Sequence, residues 1–449
     1  MTERFHLQDP LAFRSRPFSY VFVVLGIALY SNSLDRMLSG NPSHYGIVTS
    51  SLMVQLISVA FLGLSALVLM YKPKIGRPEV GTISIVCLTV WMALSLLWTS
   101  DPAHSFQKTI SHLGIVLFAF ATLKILTAEG VFRALVGSAM IFIFLQLMLM
   151  LLVPMYAFHN AWDFGVGEHA GRFRGSFYHK NETARILGLA LLVLLTGHEL
   201  IGKKWLWWMC VIAGTTMLFM SASAKLFMAL PAVGMFFLCL KWRVGWGVKI
   251  VSAAYVALIG AVLFQVLDGL ILIEHLVGLT GRDLSLSGRD AIWAVGWPLV
   301  ADSPWLGHGY DVGWTQSAKD ALYMIKGPSA VVNHAHNGYL QTLLDLGLVG
   351  LILVLIAPFK MMVQCMNNQL DNPRSNSVAL IVSYVLVLNV TGSYLTQNGD
   401  LFMCLMIWSL AFLQGVQKDN RGKPALFFRR SDPNRILTVG QTNLLRRAV

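Results

Sequence analysis

Charge is what this sequence has least of. Only 12% of its 449 residues are Asp, Glu, Lys or Arg, about half the share in a typical soluble domain. Acidic residues are the scarcer kind, 22 against 34 basic ones. A chain so poor in charge cannot cover a large solvated surface. Cysteine is also sparse. The five cysteines (Cys87, Cys210, Cys239, Cys365, Cys404) lie in or beside apolar runs and form no CxxC pair, so neither a disulfide framework nor a thiolate metal centre is indicated. DxD and HExxH are absent, as are internal repeats and low-complexity tracts. The sequence therefore calls for no metal and no cofactor.

What remains is hydrophobic: 56% of the chain. Apolar runs near 17–32, 46–71, 80–98, 109–127, 132–155, 184–198, 204–221, 224–240, 249–267, 337–358, 376–393 and 400–416 mostly approach or exceed the roughly 18 residues of a membrane span. They lack the alternation of barrel strands, and inside lipid a helix satisfies its own backbone. The expected fold is an all-α polytopic membrane protein of twelve transmembrane helices, one integral domain over 1–449. The basic N-terminus (Arg4, Arg14, Arg16) precedes an apolar run without a small-residue cleavage site and reads as an uncleaved first helix.

An even number of spans puts both termini on one side. Most of the 34 Lys and Arg fall on that side, including the short segments KPKIGR, GKK and KWRVGWGVK and the basic tail over 417–449. Short loops decide orientation, and basic ones stay in the cytoplasm. The net charge of +12 is thus a topology signal, and no nucleic-acid partner is implied. Two long outer loops result, 156–183 and 268–336. The second carries Trp293, Trp297, Trp305 and Trp314 and is expected to be structured, with SGRDAIWAVGWPLV lying along the membrane interface.

The outer loops hold the chemistry-bearing residues. RFRGSFYHKN supplies Arg172, Arg174, His179, Lys180 and Asn181; GRDLSLSGRDAIW supplies Arg282 and Arg289; NHAHNGYL supplies His334, His336 and Asn337. A guanidinium fork binds phosphate oxygens bidentately, and histidine titrates near neutrality and serves as a general base. Arginines at an aqueous membrane face, without metal ligands, suit a diphosphate leaving group and glycosyl transfer from a lipid-linked donor. Each residue also has a plainer reading. His334 and His336 sit where helix caps occur, Glu182 and Arg185 where the sixth helix begins, and Lys225 at a hairpin from which it can snorkel. Spacing alone leaves an outer-face anion site of undefined reaction.

At these motifs the chain resembles the O-antigen ligase/polymerase superfamily of integral membrane glycosyltransferases. The most specific element is His336-Asn337, nine residues, then Gly347-x-x-Gly350. Ser287, Gly288, Arg289, Trp293, Gly307 and Gly309 resemble the family's central loop, with Asp290 where a small polar residue is common. RGSFYHKN resembles the RGxFxHKN signature of the exopolysaccharide-production, succinoglycan-type polymerases, and SASAK that branch's Ser-x-Ser-Lys. The resemblance implies polymerisation of undecaprenyl-diphosphate-linked oligosaccharide repeats at the periplasmic face of a bacterial inner membrane, by metal-independent, inverting transfer. His336, Arg289 and Arg174 are the expected catalytic residues. Arg172, His179, Lys180, Asn181, Arg282, His334 and Asn337 are the expected substrate contacts. A flippase and chain-length or export proteins are the implied partners. A ligase moving glycan onto lipid A-core or protein is the alternative. A transporter of lipid-linked saccharide is a second, although few ionisable residues lie deep in the spans.

Overall fold

The structure is a computed structural model, and it describes residues 10–38, 52–71, 80–163, 169–241, 289–326, 334–367, 373–396 and 400–419. Among these the chain is an all-α membrane protein. The helices are α1 (Pro10–Tyr30), α2 (Asp35–Leu38), α3 (Leu52–Tyr71), α4 (Val80–Leu94), α5 (Pro102–Ile125), α6 (Ala128–Leu152), α7 (Pro154–Ala157), α8 (Lys180–Thr196), α9 (Lys204–Ser221), α10 (Ala224–Lys241), α11 (Arg289–Asp302), α12 (Gln316–Lys326), α13 (Gly338–Asn367), α14 (Pro373–Leu388) and α15 (Leu401–Asp419). Eleven of the twelve expected spans coincide with a helix; the expected span over 249–267 lies outside the described residues. Five helical segments (Leu52–Tyr71, Val80–Leu97, Pro102–Ile125, Ala128–Leu152 and Gly338–Met366) are long and apolar enough to cross a membrane, and shorter apolar helices accompany them. The expected tail over 417–449 is described only to residue 419, where it continues α15.

Local sequence explains the sharp helix starts. Asp101 accepts the His104 N–H at 3.1 Å ahead of Pro102 at the start of α5, joining a side-chain cap to a residue that needs no N–H partner in the first turn. Thr127 caps α6 by accepting the Gly130 N–H at 3.1 Å. The two residues between α5 and α6 turn the chain back, so α5 begins and α6 ends at the same face of the bundle. That face, the loop face, also carries the starts of α8, α13 and α15 and the end of α14.

Two helices form the centre. Along α8 nearly every residue from Thr183 to Leu194 is buried, and along α15 every residue from Leu401 to Leu410 is buried. A helix buried all round is a core helix whatever its periodicity. α8 packs on α6, α9, α10 and α14, and α15 packs on α4, α5, α6, α13 and α14. An aromatic cluster locks the side of α5: Phe118 meets Phe22, Tyr30, Phe61 and Trp408 at ring-centroid separations of 5.1–6.2 Å. Trp408 Nε1 donates to the Thr122 hydroxyl at 2.7 Å.

At the loop face the two central helices are tied by a charge pair. Arg185 on α8 donates to Asp400 at the start of α15, and both side chains are almost completely buried. The guanidinium lies over the Tyr394 ring at 4.4 Å and near that of Phe402 at 5.2 Å. Arg185 is therefore more than an ordinary residue of the first turn of α8, and Asp400 more than a span-end carboxylate. Removing one member of a buried pair strands the other. Arg185→Ala or Asp400→Ala is expected to cost roughly 3–5 kcal/mol, and replacing both with apolar residues of similar volume to recover most of it. Thermal unfolding of the detergent-solubilised protein measures both.

Candidate functional site

The loop between α6 and α8 folds back on itself at the loop face. His159 N–H donates to the Arg172 carbonyl at 2.9 Å, Gly171 N–H to the His159 carbonyl at 2.9 Å, and both Arg174 and Gly175 N–H to the Ala157 carbonyl at 2.9 Å. The polar core of this hairpin is Asp163. It takes Arg174 at 2.6 Å, the Asn160 N–H at 3.0 Å and His159 Nδ1 at 3.2 Å. His159 Nε2 accepts the Lys180 N–H at 3.2 Å, so the ring is neutral and carries its proton on Nδ1, facing Asp163. Burial and the neighbouring Arg174 push the His159 pKa down to about 4. His169 and His179 complete a group of three rings with centroids 5.1–5.8 Å apart.

From α2, Arg36 braces the same loop. Its Nη1 donates to the carbonyls of Tyr156, Gly175 and Phe177 at 2.8–3.2 Å, and its guanidinium lies 3.7 Å from the Tyr156 ring centroid. Asp35 beside it is pushed up to about 7 by burial and by Glu182.

The branch motifs RGSFYHKN and SASAK meet here. Asn181 accepts the Ser223 hydroxyl at 2.8 Å, Lys180 Nζ donates to the Ala222 carbonyl at 3.3 Å, and Phe173 N–H donates to the Met220 carbonyl at 3.0 Å. His179 also has a structural role, since its Nδ1 accepts the Asn181 N–H at 3.0 Å and so caps α8.

The second group is built on a broken helix. Gly347 interrupts α13 with φ 64° and ψ −167°, a conformation open to glycine and strained for other residues. The backbone groups released by the break find partners in the PWLGHG segment and on α4. His308 and Gly309 N–H donate to the Leu344 and Asp345 carbonyls at 2.8 and 2.9 Å, Leu348 N–H donates to the Pro304 carbonyl at 2.8 Å, and Trp91 Nε1 donates to the Leu346 carbonyl at 3.1 Å. A Cβ on Gly347 would stand 2.2 Å from Trp305 backbone, and one on Gly307 2.5 Å from that of Asp345 and Leu346. The two glycine-bearing motifs are therefore halves of one interlock.

Inside it Asp345 accepts Gln341 Nε2 at 3.0 Å and the Gly313 N–H at 2.9 Å. Gln341 Oε1 in turn accepts the Ala335 N–H at 2.7 Å and Trp314 Nε1 at 3.1 Å. Trp293 Nε1 donates to the Ala335 carbonyl at 2.9 Å. Asn337 caps α13, accepting the Tyr339 and Leu340 N–H groups at 3.0 and 3.1 Å. His336, half-buried between these anchors, has φ 51°.

The structure thus gathers Arg172, Arg174, His179, Lys180 and Asn181 into one group and His334, His336 and Asn337 into another. The groups are linked through the bundle: Tyr394, under Arg185, donates its N–H to Asn389 Oδ1 at 2.8 Å, and the Asn389 carbonyl accepts the Gly338 N–H at 2.8 Å. Arg282 lies outside the described residues, as do the side chains of Arg289, Asp290 and Lys225, whose backbones belong to the starts of α11 and α10. Sequence reasoning passed over Arg36, His159, Asp163 and Gln341. Asp163 left only a weak signal, as one of three acidic residues (Asp163, Glu168, Glu182) in a loop that also carries Arg172 and Arg174.

Comparison with known proteins bears on the same segments. Residues 208–355 match the O-antigen ligase family. The matched segment contains SASAK, the central loop and the His336–Gly350 motif, so the resemblance read from those motifs holds. The chain is 23% identical over 312 residues to the exopolysaccharide production protein ExoQ of Rhizobium meliloti, covering 66% of this chain and 68% of that protein. It is 30% identical over 135 residues to a Rickettsia bellii protein named as a polysaccharide ligase, covering 28% of this chain and 32% of that protein.

The neutral His159 makes the hairpin sensitive to acid. Its folded pKa of about 4 lies below the unfolded value near 6.5. The unfolded state therefore binds more protons between those values, and stability falls as pH drops through them. The contribution is whole above about pH 6.5 and lost by about pH 4. Hydrogen exchange at residues 171–175 should speed up over that window in the native protein and lose most of this acid dependence in His159→Gln.

Proposed function

We propose that this protein polymerises undecaprenyl-diphosphate-linked oligosaccharide repeats into exopolysaccharide at the periplasmic side of a bacterial inner membrane. In this reading both termini are cytoplasmic, the loop face is periplasmic, and a flippase and export proteins act before and after it. The observation that carries the reading is the similarity to ExoQ across two thirds of the chain. The rigid hold on the segment that presents His336 supports it.

The acceptor hydroxyl attacks the anomeric carbon of the donor glycan. The bond from that carbon to the diphosphate oxygen breaks, and undecaprenyl diphosphate leaves with the electron pair. His336 takes the hydroxyl proton. Negative charge grows on the departing diphosphate, so fixed guanidinium groups favour the transition state over the ground state without a metal ion. Arg289, at the start of α11, is assigned that role, with Arg172 and Arg282 as second choices. Arg174 is held by Asp163 and Tyr156, so its part is to fix the RGSFYHKN hairpin and through it Lys180 and Asn181.

A second reading is ligation to a lipid or protein acceptor, favoured by the match to the Rickettsia bellii ligase. The product separates the two: long free polysaccharide for a polymerase, glycan on a separate acceptor for a ligase. His336→Ala and Arg289→Ala are each expected to lower polymer yield roughly 10²-fold or more. Normal polymer from both variants, at normal membrane levels, would sink the assignment of these residues.

A further inference from the structure

We propose that His334 is a positioning residue for His336, acting through a hydrogen bond that only one state of its ring can make. The inference rests on the reading of His336 as the base and adds what holds that base in place. The His336 N–H donates to His334 Nδ1 at 3.2 Å. The two rings stand edge to face, their centroids 4.1 Å apart and their planes at 69°. His336 itself occupies left-handed backbone, φ 51°, a region that non-glycine residues enter mainly when local hydrogen bonds hold them there.

An imidazole nitrogen that accepts an N–H cannot carry a proton. His334 is therefore neutral, protonated on Nε2, and its Nδ1 is engaged by backbone. It cannot exchange the acceptor proton at that atom, which leaves this work to His336. The residues on either side are pinned independently. Ala335 is held through both its N–H and its carbonyl by Gln341 and Trp293, and Asn337 caps α13. The bond from His334 sets the remaining variable, the direction in which the His336 backbone projects its ring. His179 makes the same contact with the Asn181 N–H at 3.0 Å, so both motif histidines cap the N–H two residues on.

The chemistry predicts which substitution rescues. An asparagine side chain also accepts the N–H two residues on, as in an Asx turn, whereas leucine has comparable bulk and no acceptor. The test uses the full-length protein in proteoliposomes, fed lipid-linked repeats extracted from cells of its host that lack it. His334→Leu should lower kcat about tenfold to a hundredfold, with KM changed less than about threefold. His334→Asn should return most of kcat. Thermal unfolding of both variants should stay near the wild type. In solid-state NMR of histidine-labelled protein, His334 Nδ1 should be unprotonated at neutral pH.

A KM increase without recovery by Asn would make His334 a substrate contact and overturn the proposal. So would a kcat loss that follows loss of thermal stability, or a protonated Nδ1. His336→Ala is the control that separates the two claims. If that variant stays active, the reading of His336 as the base fails. If it is inactive while His334→Leu is fully active, the positioning role alone fails.

Discussion

The buried pair of Arg185 and Asp400 is the constraint on which the loop face depends. α8 and α15 are core helices with few polar atoms, and apolar packing alone leaves their relative height and rotation loosely defined. A guanidinium bonded to a carboxylate at one end defines both. Tyr394 and Phe402 surround the cation with ring faces, adding attraction that needs no water. Each functional segment is then one or two bonds from this pair. Thr183, two residues before Arg185, donates its hydroxyl to the Arg174 carbonyl. Tyr394 reaches Gly338 through Asn389. Both loops are therefore referenced to one charge pair, although they are separated by well over a hundred residues in sequence.

The broken helix α13 meets a second requirement. A helix interrupted at membrane depth exposes backbone groups that hydrocarbon cannot satisfy, and such breaks persist only where protein supplies partners. Here the PWLGHG segment and Trp91 supply them. In exchange the break fixes the loop. Pro304, His308 and Gly309 are bonded to the helix backbone, and Gly313 to the carboxylate of Asp345. Gln341 then passes that order to Ala335. The run of hydrogen bonds that ends beside His336 starts from a fully enclosed acidic residue, a rigid arrangement with little to lose to solvent.

How legible this was depends on the kind of signal. Helix positions could be read from apolar runs, because burial in lipid writes them over some twenty residues at a time; the helix starts at Ala128, Lys180 and Lys204 lie within a few residues of the expected ones. The gathering of Lys180 and Asn181 with SASAK, and of Gly347 with PWLGHG, could not be read from spacing, because neither contact has a periodicity. The motifs did not tell the residues' roles apart. His179 and Asn337 are helix caps in the structure, and Arg174 is a paired, buried cation. Arg185 reads as an unremarkable first-turn residue until Asp400 is seen beside it. Its partner lies 215 residues away, and no local rule connects them.

This division of labour follows from the solvent. At a membrane face a loop cannot be held by a large apolar core of its own, and the packed cluster around Ile292, Trp314, Leu322, Leu340 and Leu344 is small. Polar side chains must hold the loops, and each is consumed in doing so: Asp163 by Arg174 and His159, Gln341 by Ala335 and Trp314. A site built this way needs many polar residues to present a few reactive ones, and a motif rich in Arg, His, Lys and Asn is mostly bracing. The reactive group is then sought where the bracing converges. That place is residue 336, whose flanking residues are pinned, whose N–H is capped, and whose left-handed backbone is maintained by its neighbours. Strain of that kind, held in place by several independent bonds, is more economically explained by the need to aim a side chain than by stability, to which it contributes nothing.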